Sequence, residues 1–126
     1  MSFNPFLRLT CLALLAFTNV SAQAENPVPY TDESVAQGAQ LFQQYCTECH
    51  GKDGRALMDV ISDATDLTDP EAYYNGSTQN DMFRSINEGA GVGMPPWSFQ
   101  LKDERDMWHL VNFIRSLWTP EQRSAM

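Results

Sequence analysis

The chain is predicted to be all-α with a loop-rich middle, and three observations carry that prediction. Apolar residues recur at helical spacing in "DESVAQGAQLFQQYC" near the start and in "KDERDMWHLVNFIRSLW" near the end. Between them periodicity is lost and turn signals accumulate at Asp53-Gly54, Asp69-Pro70 and Asn75-Gly76. No credible alternation of apolar and polar residues marks a strand, and no internal repeat is present.

At 126 residues the chain accommodates one small domain. Residues 1–24 read as a removed secretory signal. Arg8 is a weak positive n-region, Leu9–Phe17 a short apolar core, and Ala22-Gln23-Ala24 fits the small-x-small pattern of a cleavage site. The run is too short and wrongly flanked for a spanning helix, and no later segment approaches that length, so no stable membrane insertion is expected. Cys11 follows Arg8-Leu9-Thr10, which is not the small, apolar triplet of a lipidation site.

Residues 25–31, "ENPVPYT", carry two prolines and form an extended lead-in. The domain proper is assigned to residues 32–118 and a C-terminal tail to 119–126. In the first helix Val35, Ala39, Phe42 and Cys46 share a face, and Asp32 and Glu33 suit the positive end of the dipole. Gly38 costs a helix interior about 1 kcal/mol relative to Ala, so its use is the close approach of another helix. A short helix is expected around Pro70–Tyr74, with Pro70 at its first position. Another is expected over Asp81–Glu88, with Phe83 and Ile86 on its apolar face and Gly89 as its stop. The loop "GAGVGMPPW" follows. In the last helix Met107, Leu110, Val111, Ile114 and Leu117 form the apolar stripe. Asp103 and Glu104 at its start and Arg115 in its last turns match the dipole, and Pro120 follows its end.

Acidic residues outnumber basic ones 16 to 8, for a net charge of −8. Loss of Arg8 with the signal makes the balance more negative still. Such a surface repels nucleic acid. It favours solubility as a monomer and a partner with a basic docking face.

Once Cys11 has left with the signal, Cys46 and Cys49 are the remaining thiols, set in "CTECH" (Cys46–His50). A structural zinc site needs two further ligands, yet only His109 is left to offer one. A thioredoxin-like motif needs a strand before it, and here a helix leads in. The spacing suits covalent c-type haem attachment, with both thiols adding across haem vinyl groups and His50 offering a ring nitrogen to the iron. Met94 stands in the Gly-rich loop, where Pro95 and Pro96 restrict the backbone and hold its soft thioether in place as the sixth ligand. Met82 and Met107, on helical segments, read as core filler.

The stretches "GAQLFQQYCTECHG", "GVGMPPW" and "DMWHLVNFIRSL" resemble a class I monohaem cytochrome c of bacterial periplasmic type. The resemblance runs from about residue 34 to 118, in the family's order. "DLTDP…NDMFRSINEGAGVGMPPW" also resembles small cytochromes that serve periplasmic dehydrogenases or respiratory complexes. The resemblance implies first and last helices that cross steeply, a haem wrapped between them and the middle loops, and Gly38 at the crossing near Trp108 or Phe113. It implies one haem c carried on Cys46 and Cys49, with His50 proximal and Met94 distal. The implied function is a periplasmic electron carrier rather than an enzyme, serving a dehydrogenase or respiratory complex and a terminal acceptor. The alternative is a cytochrome subunit fixed within a dehydrogenase or reductase complex.

One departure stands out. Many relatives place a proline after the haem motif, and its carbonyl fixes the proximal histidine. No proline lies between His50 and Asp69, so a carbonyl of "GKDGRALMDV" is expected to serve instead. Trp97 is expected to pack on the haem or in the core, Arg84 to lie on an exposed helix face, and His109 to have a structural or surface role rather than to bind iron. No arrangement suggests a nucleophile, a general acid–base pair or a phosphate cradle.

Overall fold

Each long helix begins at a side-chain cap. The computed structural model describes residues 26–56 and 64–125; the expected signal segment, with Cys11, lies outside the described residues. Helix α1 (Asp32–Tyr45) starts where the Thr31 hydroxyl accepts the Ser34 N–H at 3.1 Å, with Asp32 and Glu33 in its first turn. The chain continues through Cys46 into the single turn α2 (Thr47–His50), which Gly51 ends at φ +74°. A 3-10 turn covers Pro70–Ala72. Helix α3 (Gln79–Glu88) stops at Gly89. Helix α4 (Glu104–Ser116) is capped by the Asp103 carboxylate, which accepts the Arg105 N–H at 2.9 Å. Helix α5 (Pro120–Ser124) follows. Among the described residues there is no strand, only an isolated antiparallel bridge between Ala90 and Met94. None of their helices is long and apolar enough to cross a membrane.

Helices α1 and α4 meet at Gly38. A Cβ there would lie 2.0 Å from the His109 carbonyl oxygen and 2.7 Å from the Phe113 Cβ. The predicted close approach is present, and it is to the backbone of α4 itself, with Phe113 beside it. One turn on, the Phe42 and Phe113 rings pack at 4.9 Å.

The α4 stripe buries Met107, Leu110, Val111 and Ile114, while Leu117 is half-buried. Trp108, His109 and Asn112 are buried as well, so the helix is enclosed more widely than its stripe indicates. The reason is three separate neighbours: Phe83 of α3 stacks on Trp108, α1 packs on His109, and the lead-in, with Val28 buried, meets Asn112. The Asn112 amide donates to the carbonyls of Val28 at 3.1 Å and Pro29 at 3.2 Å, and to the Ser34 hydroxyl at 2.8 Å. Asn26 donates to the Asn112 side-chain oxygen at 2.9 Å, and His109 Nδ1 lies 2.9 Å from the Ser34 hydroxyl. These bonds satisfy polar groups that would otherwise each cost about 1–3 kcal/mol to bury. Of the structural or surface role expected of His109, the structural one is what its burial and the Ser34 contact support.

Two other elements differ from expectation for local reasons. Helix α3 starts two residues early because Thr78 caps it, accepting the Asp81 N–H at 3.1 Å and donating to the Asp81 carboxylate at 2.6 Å. Its buried face is Met82 and Ile86, while Phe83 stacks on Trp108 at 4.2 Å. Pro120, read as following the end of helical structure, opens α5 at its first position behind a Thr119–Gln122 capping box.

Gly38→Ala should destabilise the purified protein by about 3 kcal/mol in denaturant unfolding, the upper range for forcing a methyl into a packed contact. Gly91→Ala, where a Cβ meets nothing within 4 Å but φ is +57°, should cost only about 1 kcal/mol of backbone strain. Equal losses from the two substitutions would contradict the packing assigned to Gly38.

Candidate functional site

A cavity of about 630 Å³ opens between the end of α1, helices α3 and α4, and the segments 64–76 and 90–97. That is the size of a site for a small molecule or cofactor. Cys46, Cys49, His50 and Met94 all line it, although Met94 is far from the others in sequence. Phe42, Leu67, Ile86, Leu110 and Ile114 give it an apolar wall.

Burial, with Cys49 beside it, pushes the Cys46 thiol up to about 12. A thiol so placed stays protonated at neutral pH, unlike the low-pKa cysteine of a disulfide oxidoreductase. Helix α1 leads into the pair, so the strand–motif–helix context of such an enzyme is missing too.

The His50 ring is held by Nδ1, 3.0 Å from the Thr65 carbonyl oxygen. A carbonyl only accepts, so Nδ1 carries the proton and Nε2 keeps its lone pair for a metal. Burial lowers the His50 pKa, with the Thr65 bond opposing it, so the neutral imidazole prevails at neutral pH. The accepting carbonyl was expected within "GKDGRALMDV", and this is a correction: Thr65 lies beyond that stretch. The chain turns after the motif, with the Ala56 N–H bonded to the His50 carbonyl at 2.9 Å. It then returns to bond the Leu67 N–H to the Gly54 carbonyl at 2.7 Å. That return places Thr65 across the imidazole.

Met94 is held by backbone as well as by its two prolines. The Ala90 N–H donates to the Met94 carbonyl at 3.0 Å, and the Met94 N–H donates to the Ala90 carbonyl at 3.2 Å. The Trp97 N–H ties the far end of the loop to the Ile86 carbonyl at 2.9 Å. Gly89 is required at the loop's entry: its φ is +86°, and a Cβ would lie 2.7 Å from the Met94 carbonyl oxygen.

Met82, read as core filler, is 3% exposed in the core and also lines the cavity, so a second thioether is present at the site. Trp97 lines it as well, its ring 5.7 Å from that of Tyr45. Arg84 is exposed and pairs with Asp81 at 2.7 Å, outside the cavity. Among the lining residues that went unread in the sequence are Tyr73 and Val92, while Tyr74 was read only as the end of a short helix. Their one local signal is position, the tyrosines just before the Asn75-Gly76 turn and Val92 between two glycines. Tyr74 is 89% exposed and Val92 fully so, which marks the open edge of the cavity. The Tyr73 hydroxyl donates to the Leu67 carbonyl at 3.0 Å.

Two thiols, a neutral imidazole with a lone pair to offer, methionines and an apolar wall form a donor set that fits a c-type haem. Among the described residues no group of three or more His, Cys, Asp and Glu side chains makes another metal site.

Comparison with known proteins agrees with this chemistry. The family described as cytochrome c oxidase, cbb3-type, subunit III, matches residues 33–114. The cbb3-type cytochrome c oxidase subunit CcoP of Rhodobacter capsulatus is 32% identical over 71 residues, which cover 56% of this chain and 23% of the relative. The chain thus spans about a quarter of the length of the curated relatives it matches. Among solved structures, a chain of the Kuenenia stuttgartiensis reducing HAO-like protein complex aligns at TM-score 0.65 and 22% identity, covering 74% of this chain and 47% of that one. Cytochrome cL of Methylophaga aminisulfidivorans aligns at TM-score 0.59 and 24% identity, covering 77% and 71%. These two likenesses are of fold. The chain belongs to the cbb3-type subunit III family of c-type cytochrome domains, and haem binding goes with that membership.

Burial pushes the Tyr73 phenol above its ordinary value, and the nearby carboxylates of Asp66 and Asp69 push it further, against the opposing effect of Trp118. The phenol donates to Leu67, whereas a phenolate cannot. Its stabilisation is therefore complete below about pH 10, the unfolded value, and is lost as pH rises through the raised folded value. An alkaline titration followed by tyrosinate absorbance should show one late-ionising tyrosine that Tyr73→Phe abolishes. A late component that persists in the variant would contradict this.

Proposed function

We propose that this family member is an exported, periplasmic electron carrier with a single haem c. Cys46 and Cys49 form the thioether links, and His50 and Met94 are the axial ligands. Residues 1–24 serve as the removed signal and 32–118 as the carrier domain. The observation that supports this most is convergence: the motif at the end of α1 and the methionine of a distant loop line one apolar cavity.

When bound, the haem supplies an iron that changes reversibly between its ferric and ferrous states. The chain's own residues make that change easy. The Thr65 carbonyl fixes the His50 ring, and the Ala90–Met94 bridge fixes the thioether's loop, so little has to move. Phe42, Leu110 and Ile114 keep water from the back of the cavity. Tyr74 and Val92 flank its exposed edge, where a partner could approach. No substrate is transformed, and the protein acts as a carrier rather than an enzyme.

The acidic surface steers a basic partner toward this edge. Asp66 lines the cavity, and Asp69 and Glu71 are exposed nearby along the chain. One observation favours a second form of the same chemistry. The curated relatives are named as oxidase subunits, and the chain matches about a quarter of their length. A carrier domain of this kind also works as a fixed subunit. Size exclusion of native extract separates the two: a fixed subunit elutes with its assembly at low and moderate salt.

Met94→Ala should lower the reduction potential by roughly 100 mV, within the range axial ligands command, and should let azide bind the ferric iron. An unchanged potential with no azide binding would remove Met94 as ligand. Electron transfer to the physiological partner should slow as salt rises from about 0.02 to 0.5 M, as surface charges are screened. A flat salt dependence would remove the steering role.

A further inference from the structure

The Leu67 carbonyl oxygen accepts two side-chain hydrogen bonds. One comes from the Tyr73 hydroxyl at 3.0 Å, the other from Trp118 Nε1–H at 2.9 Å. The N–H of the same residue donates to the Gly54 carbonyl at 2.7 Å, in the turn that follows the haem motif. Leu67 is thereby held from both sides. Its two aromatic donors support each other, with ring centroids 5.9 Å apart in an edge-to-face contact at 84°. Trp118 is itself fixed, because it is buried and its carbonyl accepts a hydrogen bond from the Arg123 guanidinium of α5.

Two residues upstream of Leu67 lies Thr65, whose carbonyl accepts from His50 Nδ1. The segment around it contains no proline to stiffen it. Asp66 contributes only a local turn, accepting the Thr68 N–H at 2.9 Å and the Thr68 hydroxyl at 2.7 Å. Among the described residues, the hydrogen bonds that tie this segment to the rest of the domain, besides the one to His50, are those at Leu67. A hydrogen bond to the far nitrogen of a metal-bound imidazole sets the ring's orientation and raises its basicity. Whatever fixes the Thr65 carbonyl therefore acts on the iron.

We propose that Trp118 and Tyr73 are positioning residues for the proximal histidine, acting through Leu67 to hold the Thr65 carbonyl on His50 Nδ1. They supply by tertiary hydrogen bonding the stiffness that a proline after the motif supplies elsewhere. The role extends to α5, whose Arg123 secures Trp118, so the C-terminal turn becomes part of the site's support. The proposal rests on His50 being an iron ligand.

The test uses the haem-loaded, full-length protein. Trp118→Phe and Tyr73→Phe each keep an aromatic ring and remove one donor to Leu67. The readouts are solvent exchange of the His50 Nδ1 proton, by NMR of the reduced protein, and the reduction potential. Exchange should be about tenfold faster in Trp118→Phe, the size of effect expected from losing one ordinary hydrogen bond. It should be faster by several-fold in Tyr73→Phe, with the potential raised in both, because a less basic imidazole stabilises ferric iron less. Phe83→Leu, which loosens the stacking on Trp108 without touching Leu67 or the cavity wall, should leave both readouts as in the wild type. If Trp118→Phe fails to fold, Tyr73→Phe retains the Trp118 bond and carries the test.

Exchange and potential unchanged in the variants, or changed as much by Phe83→Leu, would overturn the positioning role alone. A wild-type protein with no iron-bound histidine signal from His50 would overturn the ligand assignment, and the positioning role with it.

Discussion

The cavity of this protein depends on one close contact, Gly38 of α1 against the backbone of His109 in α4. Helix α1 carries Cys46 at its end and runs directly into the turn that holds Cys49 and His50. Where α1 crosses α4 therefore decides where two thiols and an imidazole sit. Glycine's cost within a helix is offset by the packing it permits, with Phe42 against Phe113 one turn away. The other partner is fixed by the buried Asn112, which ties α4 to the lead-in carbonyls and to Ser34 of α1. A polar residue at the heart of the interface thus fixes the register of the helices, because every alternative leaves its amide unsatisfied.

The two axial candidates are supported in different ways, and the difference follows from their chemistry. A neutral imidazole is a strong ligand, and its support is a chain of hydrogen bonds from Thr65 back to the Leu67 carbonyl. A thioether is weak, so its own backbone has to be immobile. The Ala90–Met94 bridge, the glycine at 89 and the tie from Trp97 to Ile86 provide that. The presence of Met82 in the same wall sharpens the point. Two methionines line one cavity, and what distinguishes Met94 is its place in a braced loop rather than on a helix in the core.

Much of this was legible in the sequence wherever the signal was local. The helical faces of α1 and α4, the acidic caps, the stop at Gly89 and the "CTECH" spacing all act within a few residues of themselves. Gly38 was legible because a glycine inside a good helix needs a reason. The rest was not, since its cause is contact between distant residues. Nothing near Thr65 marks its carbonyl as the partner of His50, 15 residues away. Trp118 reaches Leu67 across 51 residues. Asn112 carried no reading in the sequence, and it is buried because it bonds the lead-in and Ser34, while His109 is buried against Ser34 and Gly38 of α1. Pro120 was read as an end because proline cannot continue a helix, yet it begins one well.

The central claim is that one haem is held between His50 and Met94, with Met82 as a wall residue. Proton NMR of the reduced, diamagnetic protein tests this most directly, because a methionine bound to the iron has its methyl group moved far upfield by the haem ring current. One such methyl, assigned through the backbone to Met94, is the expected result. No upfield methionine methyl, or one that belongs to Met82, would contradict it.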